Sequence, residues 1–514
     1  MKRVSNNERI AKNTFMLYVR MLFLMTVNLY ISRVVLRVLG VEDFGIYNVV
    51  GGVVAMFSII SGSLSASISR FLTYELGKKN IDKLKRIFST AIMIQIGISV
   101  VIILFAETIG VWFLNSEMNI PIYRIYAANW VFQFSIIAFI INLVSLPYNA
   151  LLIAHEKMVV FAYISILEAI GKLVGVYFLV ISPIDKLVSY AMLMVVIAVL
   201  VRYIYSRYCK THFKECTFQF LIDSSLLKSM CTFAGWNFFG STSLVLKEQG
   251  VNVVLNIFCG PAINAARGIA VQVNNAVSAF IANFMTALEP QIIKSYADRD
   301  NRYMYFLIYQ GTKLSFYLML FLILPILLNT DFVLELWLGK VPNYCTQFVR
   351  LMLVLSLLDC LYRPLLAAHL ATGRIKELQL IVGGINLLNL PLSFGFLKCG
   401  YEPVCTVVIS IILSIITLFL RVFLFTKLDD YFCVKDFVRN VVMKIMYVSF
   451  LSVVLPIILS QLYPNSSVLM ESTVCFLSVG SAVYYLGLSI DERRLVKQKI
   501  CQIAKCLICV FCIK

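Results

Sequence analysis

Charge is scarce in this sequence. Asp, Glu, Lys and Arg make up 14% of its 514 residues, against roughly 25% in soluble domains, so a soluble domain of ordinary size is excluded. The alternation of apolar and polar residues over segments of about 10 that marks a membrane β-barrel is missing too. Runs such as Ala91 to Phe105 and Val404 to Leu420 are continuous instead. Histidine is nearly absent, and the three present, His155, His212 and His369, stand apart along the chain. That removes the simplest proton relay and the simplest imidazole metal site. No cleavable signal is visible, because the first apolar stretch is long, is interrupted by Arg20 and Arg33, and lacks a small-residue cleavage site. It is expected to stay as the first helix.

What fills the chain is apolar. Hydrophobic residues make up 60% of it and the mean hydropathy is +0.87, arranged as about fourteen stretches each long enough to cross a hydrocarbon core of roughly 30 Å. In lipid every backbone polar group needs an internal partner, so continuous stretches of this length read as helices. The prediction is an all-α polytopic membrane protein with about 14 transmembrane helices. The expected spans are 14 to 38, 46 to 74, 87 to 114, 124 to 153, 158 to 181, 187 to 207 and 231 to 258, then 265 to 290, 304 to 328, 346 to 370, 377 to 398, 403 to 426, 440 to 460 and 467 to 488.

The net charge of +18 sorts by loop. About 29 Lys and Arg fall before the first span and in alternate gaps after it, including the clusters Lys78 to Arg86, Arg207 to Lys228 and the tail after Asp491, whereas about 3, Lys186, Lys340 and Lys398, occupy the other gaps. The positive-inside rule then puts both termini in the cytoplasm, which requires an even number of spans. The basic residues are expected to meet anionic membrane lipid, not nucleic acid.

Fourteen cysteines are scattered mostly through apolar stretches and read as small buried hydrophobes. Only the tail differs, with Cys501, Cys506, Cys509 and Cys512 in a C-x4-C-x2-C-x2-C spacing. No second ligand set accompanies them, so no metal and no cofactor is predicted, and a cytoplasmic amphipathic helix with Lys497, Lys499 and Lys505 toward headgroups is the expected reading.

A weak internal repeat appears at an offset of 220 positions. Val38, Leu39 and Gly40 precede one long helix as Phe258, Cys259 and Gly260 precede another, and Ser, Ala, Gly and Asn recur along both. This predicts an N-lobe over 1–206, a basic connector over 207–230, a C-lobe over 231–426, two appended helices over 427–490 and a cytoplasmic tail over 491–514.

These features are joined by local motifs: Arg9 to Asn13 before the first helix, Leu39-Gly40-Val41-Glu42-Asp43-Phe44-Gly45-Ile46-Tyr47-Asn48 at the first outer turn, Leu334 to Gly339 with Pro342, and Ala371 to Lys376. Over nearly its whole length the chain resembles the Wzx-type oligosaccharide flippases of polysaccharide biosynthesis, within the MOP superfamily that includes the MATE drug exporters. The resemblance implies a MATE-like, V-shaped two-lobe bundle that alternates between inward and outward access. It implies the flipping of an undecaprenyl-pyrophosphate-linked oligosaccharide from the cytoplasmic to the outer leaflet of the bacterial inner membrane, for O-antigen, capsule or exopolysaccharide synthesis. Partners would be the lipid-linked glycan and, in the same pathway, a glycan polymerase and glycosyltransferases.

Such a substrate calls for cations inside the bilayer, where a charge costs at least about 2.5 to 3.5 kcal/mol. Lys247 sits mid-span beside Glu248, Gln249, Asn252 and Asn256; it either lines a cavity or pairs with a structural partner. Snorkelling accounts for Arg20 and Arg37. Arg33, Arg70 and Arg267 are expected to surround one cavity, as arginines on the first, second and eighth helices do in the related lipid II flippases, and Arg363 joins them as a candidate. Guanidinium binds phosphate oxygens in pairs, which favours Arg for the headgroup. Glu168 with Lys172, and Asp359 with Arg363, are each spaced i, i+4 with the acid first, so each is read as an internal ion pair or, less simply, as a coupling group.

Two other functions are weighed. A MATE-type cation-coupled exporter of small molecules would share the fold, but an Arg- and Lys-weighted cavity suits an anion. A membrane-embedded polymerase or ligase would need a large outer loop. The longest here, Asn329 to Cys345, has about 17 residues, and no nucleophile constellation appears in it, so no enzymatic activity is predicted.

Overall fold

Long apolar runs without β-branched alternation fold as expected: every regular element among the described residues is helical. The structure, a computed structural model, describes residues 2–55, 57–116, 120–179, 183, 185–219, 223–429, 431–462, 467–488 and 492–493. The tail cysteines Cys501, Cys506, Cys509 and Cys512 and the side chain of Arg33 lie outside the described residues.

The elements are α1 (Lys2–Ala55), α2 (Ser58–Gly77), α3 (Ile81–Phe105), α4 (Val111–Ser116), α5 (Ile125–Ala154), α6 (Met158–Phe178), α7 (Lys186–His212) and α8 (Ser224–Ala297). They continue as α9 (Asn301–Leu328), α10 (Thr330–Leu338), α11 (Cys345–Thr372), α12 (Lys376–Lys398), α13 (Cys405–Leu428), α14 (Val434–Phe437), α15 (Met443–Leu462) and α16 (Val468–Ala482). Among the described residues, twelve helices are long and apolar enough to cross a bilayer by length and composition. The expected count of about fourteen is not confirmed: 46–74, helical over 46–55 and 58–74, and 231–258 are not among the twelve. The second of these carries Lys228 just before it and Lys247, Glu248, Gln249, Asn252 and Asn256 along it, which lowers its mean hydropathy.

The repeat has a structural counterpart. Gly40 bends α1 at φ 83°, ψ 170°, and Gly260 bends α8 at φ 80°, ψ 177°, the same conformation at positions 220 apart. That region of backbone space is essentially closed to residues with a Cβ. A Cβ built at either glycine would meet nothing within 4 Å, so crowding is not the reason for glycine there. Gly40→Ala and Gly260→Ala should each cost about 1 to 3 kcal/mol through backbone strain alone, read as a lowered thermal midpoint in detergent. An unchanged midpoint would show that the bends relax.

Contacts divide the chain into two compact units. The first comprises Met1–Leu246, Asn283–Met304 and Ala367–Gly384; the second comprises Lys247–Ala282, Tyr305–Leu366 and Ile385–Lys514. In the first, Leu64, Ile68 and Leu72 at helical spacing on α2 share a core with Leu84, Ile87 and Phe88 of α3 and Leu143 and Leu151 of α5. Between helices in lipid such burial gains dispersion contacts more than water release, so fit decides. Small residues supply it: a Cβ at Gly77 would stand 2.7 Å from that of Ala297, and one at Gly175 would stand 2.4 Å from a methyl of Leu193.

Asp43, in the motif-bearing turn, has a definite partner. Arg124 donates its Nε to Asp43 at 2.7 Å, pairs with the other Asp43 oxygen, and reaches Asp185 at 2.6 Å. Asp185 also caps α7, accepting from the Leu187 and Val188 amides at 3.0 and 3.3 Å. Partial burial works against the Asp185 carboxylate, but Arg124 and the cap outweigh it and hold the carboxyl below its usual range. One arginine thus ties α1, the start of α5 and the start of α7 together. In the second unit α15 and α16 pack together, and Phe476 of α16 lies against Phe321 of α9 with ring centroids 4.7 Å apart.

Candidate functional site

The second unit gathers charge that its sequence neighbours cannot explain. Arg267 is 6% exposed, and its Nη1 donates to Asn252 Oδ1 and, at 3.5 Å, to the Glu248 carbonyl. On a straight helix residues 15 apart would be about 22 Å distant; the Gly260 bend folds the second half of α8 back so that they touch. Lys247 feels Asp359 of α11, its neighbour Glu248, Arg267 and Arg421 of α13. The i, i+4 partner of Asp359 is not its contact: Asp359 Oδ1 accepts from Ser414 Oγ of α13 at 2.7 Å. Arg421 is 7% exposed and lies with its guanidinium carbon 3.7 Å from the centre of the Tyr362 ring, a cation–π contact strengthened by burial.

The set holds four cations, Lys247, Arg267, Arg363 and Arg421, against two carboxylates, Glu248 and Asp359. Arg267 Nε and Arg363 Nε are buried N–H groups with no acceptor among the described residues. An excess of positive charge with unused donors is an arrangement that favours an anion.

Arg421 was not among the residues singled out from the sequence, although a signal was present. Ser410, Ser414, Thr417 and Arg421 recur at helical spacing along α13 and all are buried, a polar stripe inside a run otherwise read as purely apolar.

In the first unit Arg70 is engaged with backbone. Its Nε donates to the Leu370 carbonyl at 3.2 Å and its Nη2 to the Ala371 carbonyl at 3.0 Å, satisfying the end of α11. Gly373, at φ 76°, has no Cβ to block the approach; one would meet Arg70 Nη2 at 2.5 Å. The guanidinium also lies over Phe71 and Tyr74 at 4.6 and 5.0 Å. Glu168 and Lys172 of α6 form the ion pair that their spacing predicts, at 2.6 Å, and both line a cavity of about 300 Å³.

A second buried cluster centres on Glu156, in the turn between α5 and α6, which sequence reading passed over. Its carboxylate pairs with Lys294 and takes a hydrogen bond from Gln291, both on α8, and lies 3.1 Å from Arg9 of α1. Asn13 donates to the Glu156 carbonyl at 3.2 Å. Beside it His155 bonds Glu215; burial opposes the Glu215 charge, but His155 and the backbone hold that carboxyl below its ordinary range. Among the described residues no group of three or more His, Cys, Asp or Glu is placed to hold a metal.

A bundle of long apolar helices, with bent first and eighth helices and a buried cationic cluster, defines a polytopic membrane protein. Its fold is that of the MOP superfamily: a multidrug resistance MATE family transporter in its outward-facing conformation matches with a TM-score of 0.70 at 14% identity, over 82% of this chain and 95% of that one. A MATE protein in the bent conformation matches with a TM-score of 0.70 at 14% identity over 83% and 96%. A MOP superfamily transporter from Pyrococcus furiosus, described as having a binding pocket of reversed polarity, gives 0.68 at 13% over 81% and 95%. No curated protein matches the sequence. Residues 10–295 match the model of the polysaccharide biosynthesis protein family, and the chain belongs to that family.

Proposed function

We propose that the protein flips a lipid-linked oligosaccharide pyrophosphate from the cytoplasmic to the outer leaflet of the bacterial inner membrane by alternating access, for surface polysaccharide synthesis. The observation that carries this reading is the cationic cluster of the second unit, where Arg267 and Arg363 each keep a buried N–H without an acceptor. A pyrophosphate offers the oxygens such donors lack, and guanidinium binds them in pairs. Membership of the polysaccharide biosynthesis family supports a saccharide on the lipid. The charge asymmetry of the loops supports cytoplasmic termini. The partners we propose are a glycan polymerase and glycosyltransferases of the same pathway, together with anionic lipid at the basic loops; the protein itself makes and breaks no covalent bond. An exporter of small cations would be served by carboxylates in excess, and the cluster has the opposite balance.

In proteoliposomes carrying a lipid-pyrophosphate glycan, Arg267→Gln and Lys247→Met are each expected to slow flipping about 10- to 100-fold, the loss of one charge-assisted hydrogen bond of about 1.5 to 3 kcal/mol. Arg33→Gln and Arg70→Gln belong in the same series. Wild-type rates in all four, with protein levels intact, would remove the cationic site.

A further inference from the structure

The cavity of the first unit has a chemistry of its own. It is about 300 Å³ and is lined by Tyr47 of α1, Ser58 of α2, Ser135 and Asn142 of α5, and Glu168 and Lys172 of α6, all within that unit. Ligand pockets start at about this volume, enough for one sugar ring and too little for a whole oligosaccharide. Ser58, Ser135 and Asn142 are not hydrogen-bonded to other described residues. Polar side chains left open within apolar helices mark a ligand or water path.

Charge sorts the classes of ligand. Lys172 is neutralised by Glu168 at 2.6 Å, so the cavity offers a pyrophosphate no net attraction, and an organic cation meets the same balance. What remains is a neutral ligand rich in groups that both donate and accept. A carboxylate acceptor, an ammonium donor, an amide and two hydroxyls suit the hydroxyls around a sugar ring, and Tyr47, whose ring makes a T-shaped contact with that of Tyr190 at 4.7 Å, adds an aromatic side chain to the lining.

We infer that this cavity binds one neutral glycosyl residue and sets which saccharides the protein accepts. The inference rests on the transport reading above, and it assigns the sugar to a different set of residues from those proposed for the pyrophosphate. The probes are free monosaccharides at millimolar concentration, namely a hexose, a 6-deoxyhexose and an N-acetylhexosamine, with the full chain in nanodiscs, read by saturation-transfer NMR and thermal shift. At least one should bind saturably, and Asn142→Leu and Ser135→Ala should each weaken it about tenfold without moving the ligand-free unfolding midpoint. Glu168→Gln is the second test, because it keeps size and shape and leaves Lys172 charged; it should weaken neutral sugars and admit an acidic one. No binding by any of the three sugars, or equal binding in all variants, overturns the inference. Two further outcomes separate it from the transport reading. If wild-type protein flips lipid-linked glycan and these variants keep both rate and glycan preference, the pocket assignment falls alone. If wild type flips none but still binds a monosaccharide that the variants lose, the pocket stands and the transport reading falls.

Discussion

Glu156→Ala is expected to destabilise the first unit by about 3 to 5 kcal/mol, the cost of stranding a buried partner charge. The Glu156 side chain is 2% exposed and that of Lys294 is 22% exposed, so the ammonium left behind cannot recover full hydration. Gln291, 5% exposed, loses its acceptor in the same step. Arg9, at 46% exposure, reaches water and adds little. Glu156 also holds φ at 58°, so Glu156→Ala mixes backbone and charge effects. Glu156→Gln separates them, since it keeps the backbone requirement and removes only the charge. Both variants should lower the thermal midpoint and raise hydrogen exchange over residues 283–297 and 9–20, where Leu17, Met158 and Ala287 form a fully buried contact between α1, α6 and α8. A midpoint and exchange pattern equal to wild type in both would show that this cluster holds nothing together.

Asp359→Asn should be nearly as damaging in the second unit, for a different reason. Asp359 is a carboxylate that acts on Lys247, on Arg421 and, through its hydroxyl contact, on α13. Asn keeps the acceptor for Ser414 and removes the charge, leaving four cations against Glu248 alone. Like charges in a low-dielectric setting repel strongly, so folded yield and thermal midpoint should both fall. The decisive measurement is the double variant. Asp359→Asn with Lys247→Met should recover much of the lost stability, because the two residues share one interaction and their effects do not add. Additive losses would show that Asp359 and Lys247 do not sense each other.

Some of this was legible in the sequence, and the reason is locality. The helical spans follow from uninterrupted apolar runs, and the Glu168–Lys172 pair from an i, i+4 spacing that any helix brings together. Gly40 and Gly260 could be matched as repeat positions because they punctuate similar long helices, although nothing local announced that both would adopt φ near 80°. The same spacing argument applied to Asp359 and Arg363 did not identify the contact of Asp359, since a residue on the neighbouring helix offered a hydroxyl. Arg421 was hidden by the hydrophobicity around it, and only the periodic Ser and Thr before it pointed inward.

The chain by itself determined that this is a helical membrane protein, roughly where it crosses the bilayer, and that its basic residues are biased toward alternate loops, because hydropathy and charge act residue by residue against the bilayer. Tertiary structure alone decided which charges meet. Arg70 finds its carbonyls 300 residues away, Glu156 its amide partner 135 away, and Arg267 its asparagine only through the bend at Gly260. Such pairings depend on helices packing at particular registers, and in a medium that cannot solvate a lone charge those registers determine whether a buried cation is spent on the protein or left for a substrate.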